Sequence, residues 1–216
     1  MNGILAIGDL HGRADLLHKA LTQVVPKIQP VTLAFLGDYV DRGPDSSTVV
    51  NSLIKIKDQF PETIILKGNH ERTLLSAIRS YYYQGNFLDN GGQATLDSYG
   101  LSLKNLRDFP EKHRKFLEEL PLYHETDRYI FVHAGLRPGI PLVKQKTEDL
   151  LTIREEFYNT NKPFGKMVVF GHTFFREPLR KKNLLGIDTG AVYGNYLTCV
   201  LLPKMQFFKI SSIKPN

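Results

Sequence analysis

The chain reads as an α/β fold, and three observations carry that reading. Apolar runs alternate with amphipathic stretches through the first third, as in parallel strands joined by crossover helices. Five apolar runs end in or beside glycine and then deliver a polar side chain. Hydrophobic residues make up 42% and charged residues 23% of 216 positions, enough apolar material for a packed core and against a disordered chain.

Gly3 to Ile7 is the first expected strand. Leu16, Leu17, Ala20, Leu21, Val24 and Val25 then recur at helical spacing, with His18 and Lys19 on the opposite face. Val31 to Leu36 and Thr63 to Leu66 are the next strands, and Ser46 to Lys57 and Glu71 to Ser80 the next helices. Tyr81, Tyr82 and Tyr83, followed by Gly85, break the third helix. The segment from about 81 to 126, with Gly91-Gly92 and a charged helical stretch from Glu111 to Leu120, is expected as a small, mostly helical cap insert within a single domain, 1–216. The three tyrosines are expected at the core and rim of that insert, with a lining of the substrate groove as the alternative. Beyond it the chain is strand-rich: Tyr129 to Val132, Met167 to Phe170, Leu184 to Ile187, Tyr196 to Leu202 and Gln206 to Ile210.

The single cysteine, Cys199, rules out an intrachain disulfide and lies in an apolar run, where a buried inert thiol is expected. The short apolar start, Ile4 to Ile7, is no signal peptide, and no run is long enough to span a bilayer, so a cytoplasmic protein is expected. Lys and Arg number 28 and Asp and Glu 22, a formal charge of +6 that favours an anionic partner.

The strand ends hold the chemistry. They read Gly8-Asp9-Leu10-His11-Gly12, Gly37-Asp38-Tyr39-Val40-Asp41-Arg42-Gly43, Gly68-Asn69-His70-Glu71, Val132-His133-Ala134-Gly135 and Phe170-Gly171-His172-Thr173. Ligands of open α/β sheets bind beyond the carboxyl ends of the strands. Taken singly, Asp9 or Asp38 could be a loop acid, Asn69 a helix cap and His133 a hydrogen-bonded histidine. Taken together, carboxylate and amide oxygens with imidazoles suit divalent first-row metals. Six such groups suit two ions sharing a carboxylate, an arrangement that clamps the attacking and leaving oxygens of an in-line displacement.

The motif set GD-x-H-G, GD-x-x-DRG, GNHE, H-A-G and GHT resembles the calcineurin-like metallophosphoesterases, and within them the phosphoprotein phosphatase branch in its short bacterial and phage form. The resemblance runs from about Gly8 to Gly190. It implies an α/β sandwich of two packed mixed β-sheets flanked by helices, with a dinuclear metal centre at the strand ends. It implies Asp9, His11 and Asp38 as ligands of one ion and Asp38, Asn69, His133 and His172 as ligands of the other. His70 matches the general acid, Asp41 its carboxylate partner, and Arg42 a phosphate-binding arginine. Arg154 resembles the second such arginine, in a segment where Thr152 stands in place of the family's frequent aromatic. The cofactors implied are two divalent ions, Mn2+ first, with Fe or Zn as alternatives.

The resemblance implies a phosphomonoester hydrolase acting on phospho-Ser/Thr in proteins, with a metal-bridging hydroxide as nucleophile. The partner expected is a phosphorylated protein or peptide, or a small phosphate ester, rather than a membrane or a nucleic acid. An alternative is a dinucleoside polyphosphate hydrolase acting on diadenosine tetraphosphate. Those enzymes tend to carry GD-x-Q-G where His11 stands here. A remoter alternative is a non-catalytic phosphate- or nucleic-acid-binding module. Arg176, Arg180, Lys181 and Lys182 are expected as a solvated turn, with a docking surface as the alternative. Asp188-Thr189-Gly190 is expected near the site, positioning His172, while His18, His113 and His124 carry no motif.

Overall fold

The computed structural model describes residues 3–28 and 31–212. Two five-stranded mixed sheets form the fold. The first has the order β10-β9-β1-β2-β3, built from β1 (Gly3–Ile7), β2 (Val31–Phe35), β3 (Ile64–Ile65), β9 (Leu197–Leu202) and β10 (Gln206–Ile210). The second has the order β4-β5-β6-β8-β7, built from β4 (Tyr123–Glu125), β5 (Tyr129–Val132), β6 (Met167–Phe170), β7 (Leu179–Lys181) and β8 (Leu184–Gly186). β1, β2 and β3 are parallel, with Ala6 opposite Ala34 and Ala34 opposite Ile64. β5, β6 and β8 are also parallel, while β4, β7, β9 and β10 join antiparallel.

Side chains alternate across these strands and so sort themselves into layers. Ala6, Ala34 and Val200 face Phe131, Val169 and Leu185 in the space between the sheets. Leu5, Ile7, Leu33, Phe35 and Cys199 point the other way, into a core closed by helices. Ile130, Val132, Val168 and Phe170 do the same on the far side of the second sheet. The order is therefore helices, sheet, sheet, helices, as the family resemblance implies.

The helices on the first sheet are α1 (Ala14–Lys19), a π-helical stretch (Ala20–Val24), α2 (Val25–Ile28), α3 (Ser46–Gln59) and α4 (Asn69–Arg79), then α5 (Gln84–Asp89), α6 (Gly92–Tyr99) and α7 (Glu111–Glu119). The expected first helix is thus interrupted by a wider turn, yet Leu16, Leu17, Ala20, Val24 and Val25 all remain buried. α8 (Thr147–Thr152) and α9 (Glu155–Tyr158) cover the second sheet, through Leu150 and Phe157. No helix among the described residues is long and apolar enough to cross a membrane.

The 81–126 segment is mostly helical, and Phe87, Leu96, Leu106 and Leu117 from it enter the same core as β1 and β2. Its end, β4, is an edge strand of the second sheet. Tyr81 and Tyr82 depart from the expected core and rim: they are 85% and 84% exposed, because a one-turn 3-10 helix holds them outside the core. β7 places Arg180 and Lys181 on the other edge of that sheet, where charge discourages pairing with a further strand.

Candidate metal centre

β1, β2 and β3 from one sheet, and β5 and β6 from the other, end at the same place. Close approach needs glycine at two junctions. A Cβ on Gly68 would meet Asp38 Oδ1 at 2.2 Å, and one on Gly171 would meet Asp9 Oδ1 at 2.0 Å. The turns are strained elsewhere. Among the described residues, five of the six non-glycine positions with positive φ are His11, Asp38, Asp41, Arg42 and His172. Such strain persists where surrounding contacts over-determine the backbone, and here it aims polar side chains inward.

Glu71 supplies much of that determination. It is fully buried in the first turn of α4, and its carboxylate accepts the backbone N–H groups of Asp38 (3.0 Å), Tyr39 (2.7 Å), Val40 (3.3 Å) and Gly68 (2.8 Å). One side chain thus pins the loops after β2 and β3 together. Burial, joined by the nearby Asp38 charge, raises its pKa to about 7. Its reach back to Gly68 also starts α4 two residues before the expected Glu71, placing Asn69 and His70 on the first turn.

Asp38 lies at the centre. Its Oδ2 is 3.5 Å from His11 Nε2 and 3.9 Å from His70 Nε2, and its Oδ1 is 3.3 Å from His133 Nε2. His11, Asp38 and His70 form one group with metal-ligand spacing, and Asp38, His133 and His172 form a second. One carboxylate, Asp38, is thus common to both groups. Asn69 Oδ1 sits between His133 Nε2 (2.9 Å) and His172 Nδ1 (2.8 Å). Asp9 stands beside the second group, its Oδ2 accepting the His172 backbone N–H at 2.9 Å. It belongs to neither close-spaced trio, whereas His70 falls in the first.

The electrostatics fit cation binding. Burial holds His11 down to about 3 and His172 to about 2, so both imidazoles are neutral, as ligation requires. His11 Nδ1 donates to Val40 O at 2.9 Å, leaving the Nε2 lone pair facing the site. Arg42 Nη1 donates to that lone pair at 2.8 Å, so a cationic group already stands against it. His172 Nε2 and Asp9 Oδ1 are buried without a hydrogen-bond partner. Two orphaned acceptors in one cluster of carboxylates are costly unless a cation compensates them. Asp9 pays that cost in its pKa, raised well above the carboxylate range by burial and by the Asp188 and Asp38 charges. His133 goes the other way: burial opposes its charge, but Asp38 and Asp9 outweigh burial and lift it to about 9, so a cation bound there would have to displace its proton. The residues present fit divalent ions.

His70 and Asp41 form a separate pair. His70 Nδ1 lies 2.7 Å from Asp41 Oδ2, and both side chains are buried. Thr95 from α6 donates to Asp41 Oδ1 at 2.7 Å, and its hydroxyl accepts the Asp41 N–H at 2.8 Å. Burial works against a charged His70, yet Asp38 and Asp41 raise its pKa above the ordinary value. Arg154 reaches the His172 carbonyl and the Thr173 hydroxyl, each at 3.4 Å. The Asp188 carbonyl accepts the Phe175 N–H at 3.0 Å, tying down the far end of the His172 loop.

Sequence reasoning left Glu71 and Thr95 without roles. Glu71 could have been found from its place in the GNHE run, since a buried acid three residues after a capping glycine must take up backbone donors. Thr95 carries no local signal, being 54 residues from Asp41. The basic cluster is dispersed: Lys181 bonds the Tyr158 carbonyl and the Arg180 guanidinium lies 5.2 Å from the Phe207 ring.

A sandwich of two mixed sheets with this His/Asp cluster at its strand ends defines a metal-dependent phosphoester hydrolase. The chain belongs to the calcineurin-like phosphoesterase family, whose model matches residues 3–193. It is similar to the bis(5'-nucleosyl)-tetraphosphatase PrpE [asymmetrical] of Oceanobacillus iheyensis, at 29% identity over 97% of this chain and 92% of the relative. Among solved structures it is similar to a protein provisionally assigned as a diadenosine tetraphosphatase, with a TM-score of 0.75 and 24% identity over 99% of this chain and 95% of the other. It is also similar to a protein serine/threonine phosphatase from Saccharomyces cerevisiae, with a TM-score of 0.61 and 17% identity over 99% and 81% of the two chains. The last two likenesses concern the fold.

Proposed function

We propose that the chain hydrolyses dinucleoside tetraphosphates, cutting them unequally into a nucleoside triphosphate and a nucleoside monophosphate. The observation that carries this is the end-to-end similarity to a tetraphosphatase, over 97% of this chain and 92% of the relative. The relatives support this activity, the alternative expected from the sequence, better than the protein phosphatase expected first.

Asp9, His11, Asp38, Asn69, His133 and His172 are proposed to hold two divalent ions, Mn2+ first. When bound, the ions supply Lewis-acid charge at the phosphoryl oxygens and make hydroxide available near neutral pH. Arg42 and Arg154 grip phosphoryl oxygens, for which the planar guanidinium fork is suited. His70 holds a proton on Nε2 for the leaving oxygen, while Asp41 receives the Nδ1–H bond and fixes the ring. Thr95 fixes Asp41 in turn.

His11, in place of the glutamine frequent in dinucleoside polyphosphate hydrolases, favours a second reading as a serine/threonine protein phosphatase. A substrate panel with Mn2+ decides between them: diadenosine tetraphosphate, phospho-Ser, phospho-Thr and phospho-Tyr peptides, and an aryl phosphate. The proposal expects kcat/KM for diadenosine tetraphosphate to exceed that of every peptide at least tenfold, with ATP and AMP as products. The reverse order overturns it.

A further inference from the structure

Two large aromatic side chains stand exposed at the rim of the metal centre. Tyr193 ends the 3-10 turn Ala191–Tyr193 and is 64% exposed. Phe174, two residues after His172, is 45% exposed. They come from separate segments, yet their rings meet edge to face with centroids 6.2 Å apart at 69°. The chain is shaped to seat them. A Cβ on Gly190 would meet the Phe174 ring at 2.5 Å, and Arg13 Nη1 donates to Ala191 O at 2.8 Å, anchoring the turn that carries Tyr193. The Arg42 guanidinium carbon lies 5.7 Å from the Tyr193 ring centroid. An open hollow of about 610 Å³, lined in part by Arg42, Pro44 and Val192, adjoins the same turn.

We propose that Phe174 and Tyr193 form a stacking platform for a nucleobase, and that this platform selects nucleotides over other phosphate compounds. The inference deepens the tetraphosphatase reading and rests on it for the physiological substrate. Exposed rings offer π faces to a flat base, and stacking is tolerant of base identity because every base has such a face. Arg42 joins the platform to the chemistry. It touches His11 on one side and the Tyr193 ring on the other, so a phosphate held by Arg42 leaves its nucleoside beside the two rings. A phosphoserine or phosphothreonine peptide offers no flat aromatic group at a fixed distance from its phosphate unless its sequence happens to supply one.

The test compares one anion with and without its nucleoside. Inhibition of aryl phosphate hydrolysis is measured, in excess Mn2+, for the monomethyl ester of methylenebisphosphonate and for α,β-methylene-ADP, which carry the same acidic oxygens and are not cleaved at the bridge. The ratio of their inhibition constants cancels changes in the grip of Arg42. The wild-type ratio is expected to favour the nucleotide by about 5- to 150-fold, the span of base–aromatic stacking. Tyr193→Ala and Phe174→Ala should each bring it towards one, while Tyr193→Phe, Tyr193→Trp and Phe174→Tyr should keep it. Thermal melting of each variant checks the fold.

A wild-type ratio near one, or a ratio that neither alanine variant moves, overturns the platform. So does loss of phosphopeptide affinity in these variants with the nucleotide ratio intact, which would assign the rings to peptides. A persistent nucleotide ratio in a wild type that leaves diadenosine tetraphosphate uncut would sink the substrate reading and leave the platform standing.

Discussion

Replacing His70 by asparagine separates the two roles its position allows. His70 Nε2 stands 3.9 Å from Asp38 Oδ2, within one trio of potential metal ligands, while its Nδ1 is 2.7 Å from Asp41. Asparagine can still donate to Asp41, so the Asp41–Thr95 contact is retained. If His70 is the general acid, kcat on a phosphoserine peptide should fall by ~10²–10⁴, about 2.7–5.4 kcal/mol of barrier. On diadenosine tetraphosphate the leaving group is itself a phosphate, whose last pKa is about 6, so it departs without much help. The loss there should stay below about tenfold. Metal content, measured by mass spectrometry after desalting, should match wild type. An equal loss on both substrates, or the loss of one metal equivalent, refutes the acid role and makes His70 a ligand.

Asp41→Asn removes an influence that raises the His70 pKa while burial, which lowers it, remains. The proton on His70 is then lost at lower pH, and the alkaline limb of kcat on alkyl phosphates should move down. A limb that stays in place or rises would refute the pairing. Asp38→Asn should cut bound metal from two equivalents to below one, because its carboxylate belongs to both ligand trios; full occupancy would contradict the shared role. Glu71→Ala orphans the buried N–H groups of Asp38, Tyr39 and Gly68, at about 1–3 kcal/mol each. Tm should fall by roughly 6 °C or more for a chain of this size, and calorimetry showing an unchanged Tm would argue against the hub. Cys199, fully buried with its thiol pushed up to about 12, should resist alkylation at pH 8 until the protein is denatured.

The strand-end motifs were legible because each is local: an apolar run, a glycine and a polar residue within about five positions. Which residues of β1, β2 and β9 face helices and which face the other sheet was not legible, because both faces of these strands are apolar. What stayed hidden is non-local or weakly patterned. Thr95 meets Asp41 only after α6 packs against α3. β4 and β7 are three-residue edge strands with half-exposed polar side chains, so they carry no apolar run to read. Tyr81 and Tyr82 are aromatic yet exposed, a reminder that hydrophobic character does not itself specify burial.

The candidate ligands come from both sheets, and hydrogen bonds cross between the sheets at the site. His133 Nδ1, at the end of β5, donates to Leu36 O just past β2, and Asp9, just past β1, accepts the His172 N–H beyond β6. The seam between the sheets is therefore also the line along which the two groups of candidate ligands are spaced. Ala6 and Ala34 on one inner face, against Phe131 and Val169 on the other, set how near the sheets come. A methyl group added there would act like a shim under one jaw of a vice. It would strain the hydrogen bonds that join the candidate ligands across the seam, several residues away from any of them. The apolar interior of the sandwich thus serves as the gauge of the polar cluster at its mouth, and the spacing of that cluster can evolve through residues that are no part of it.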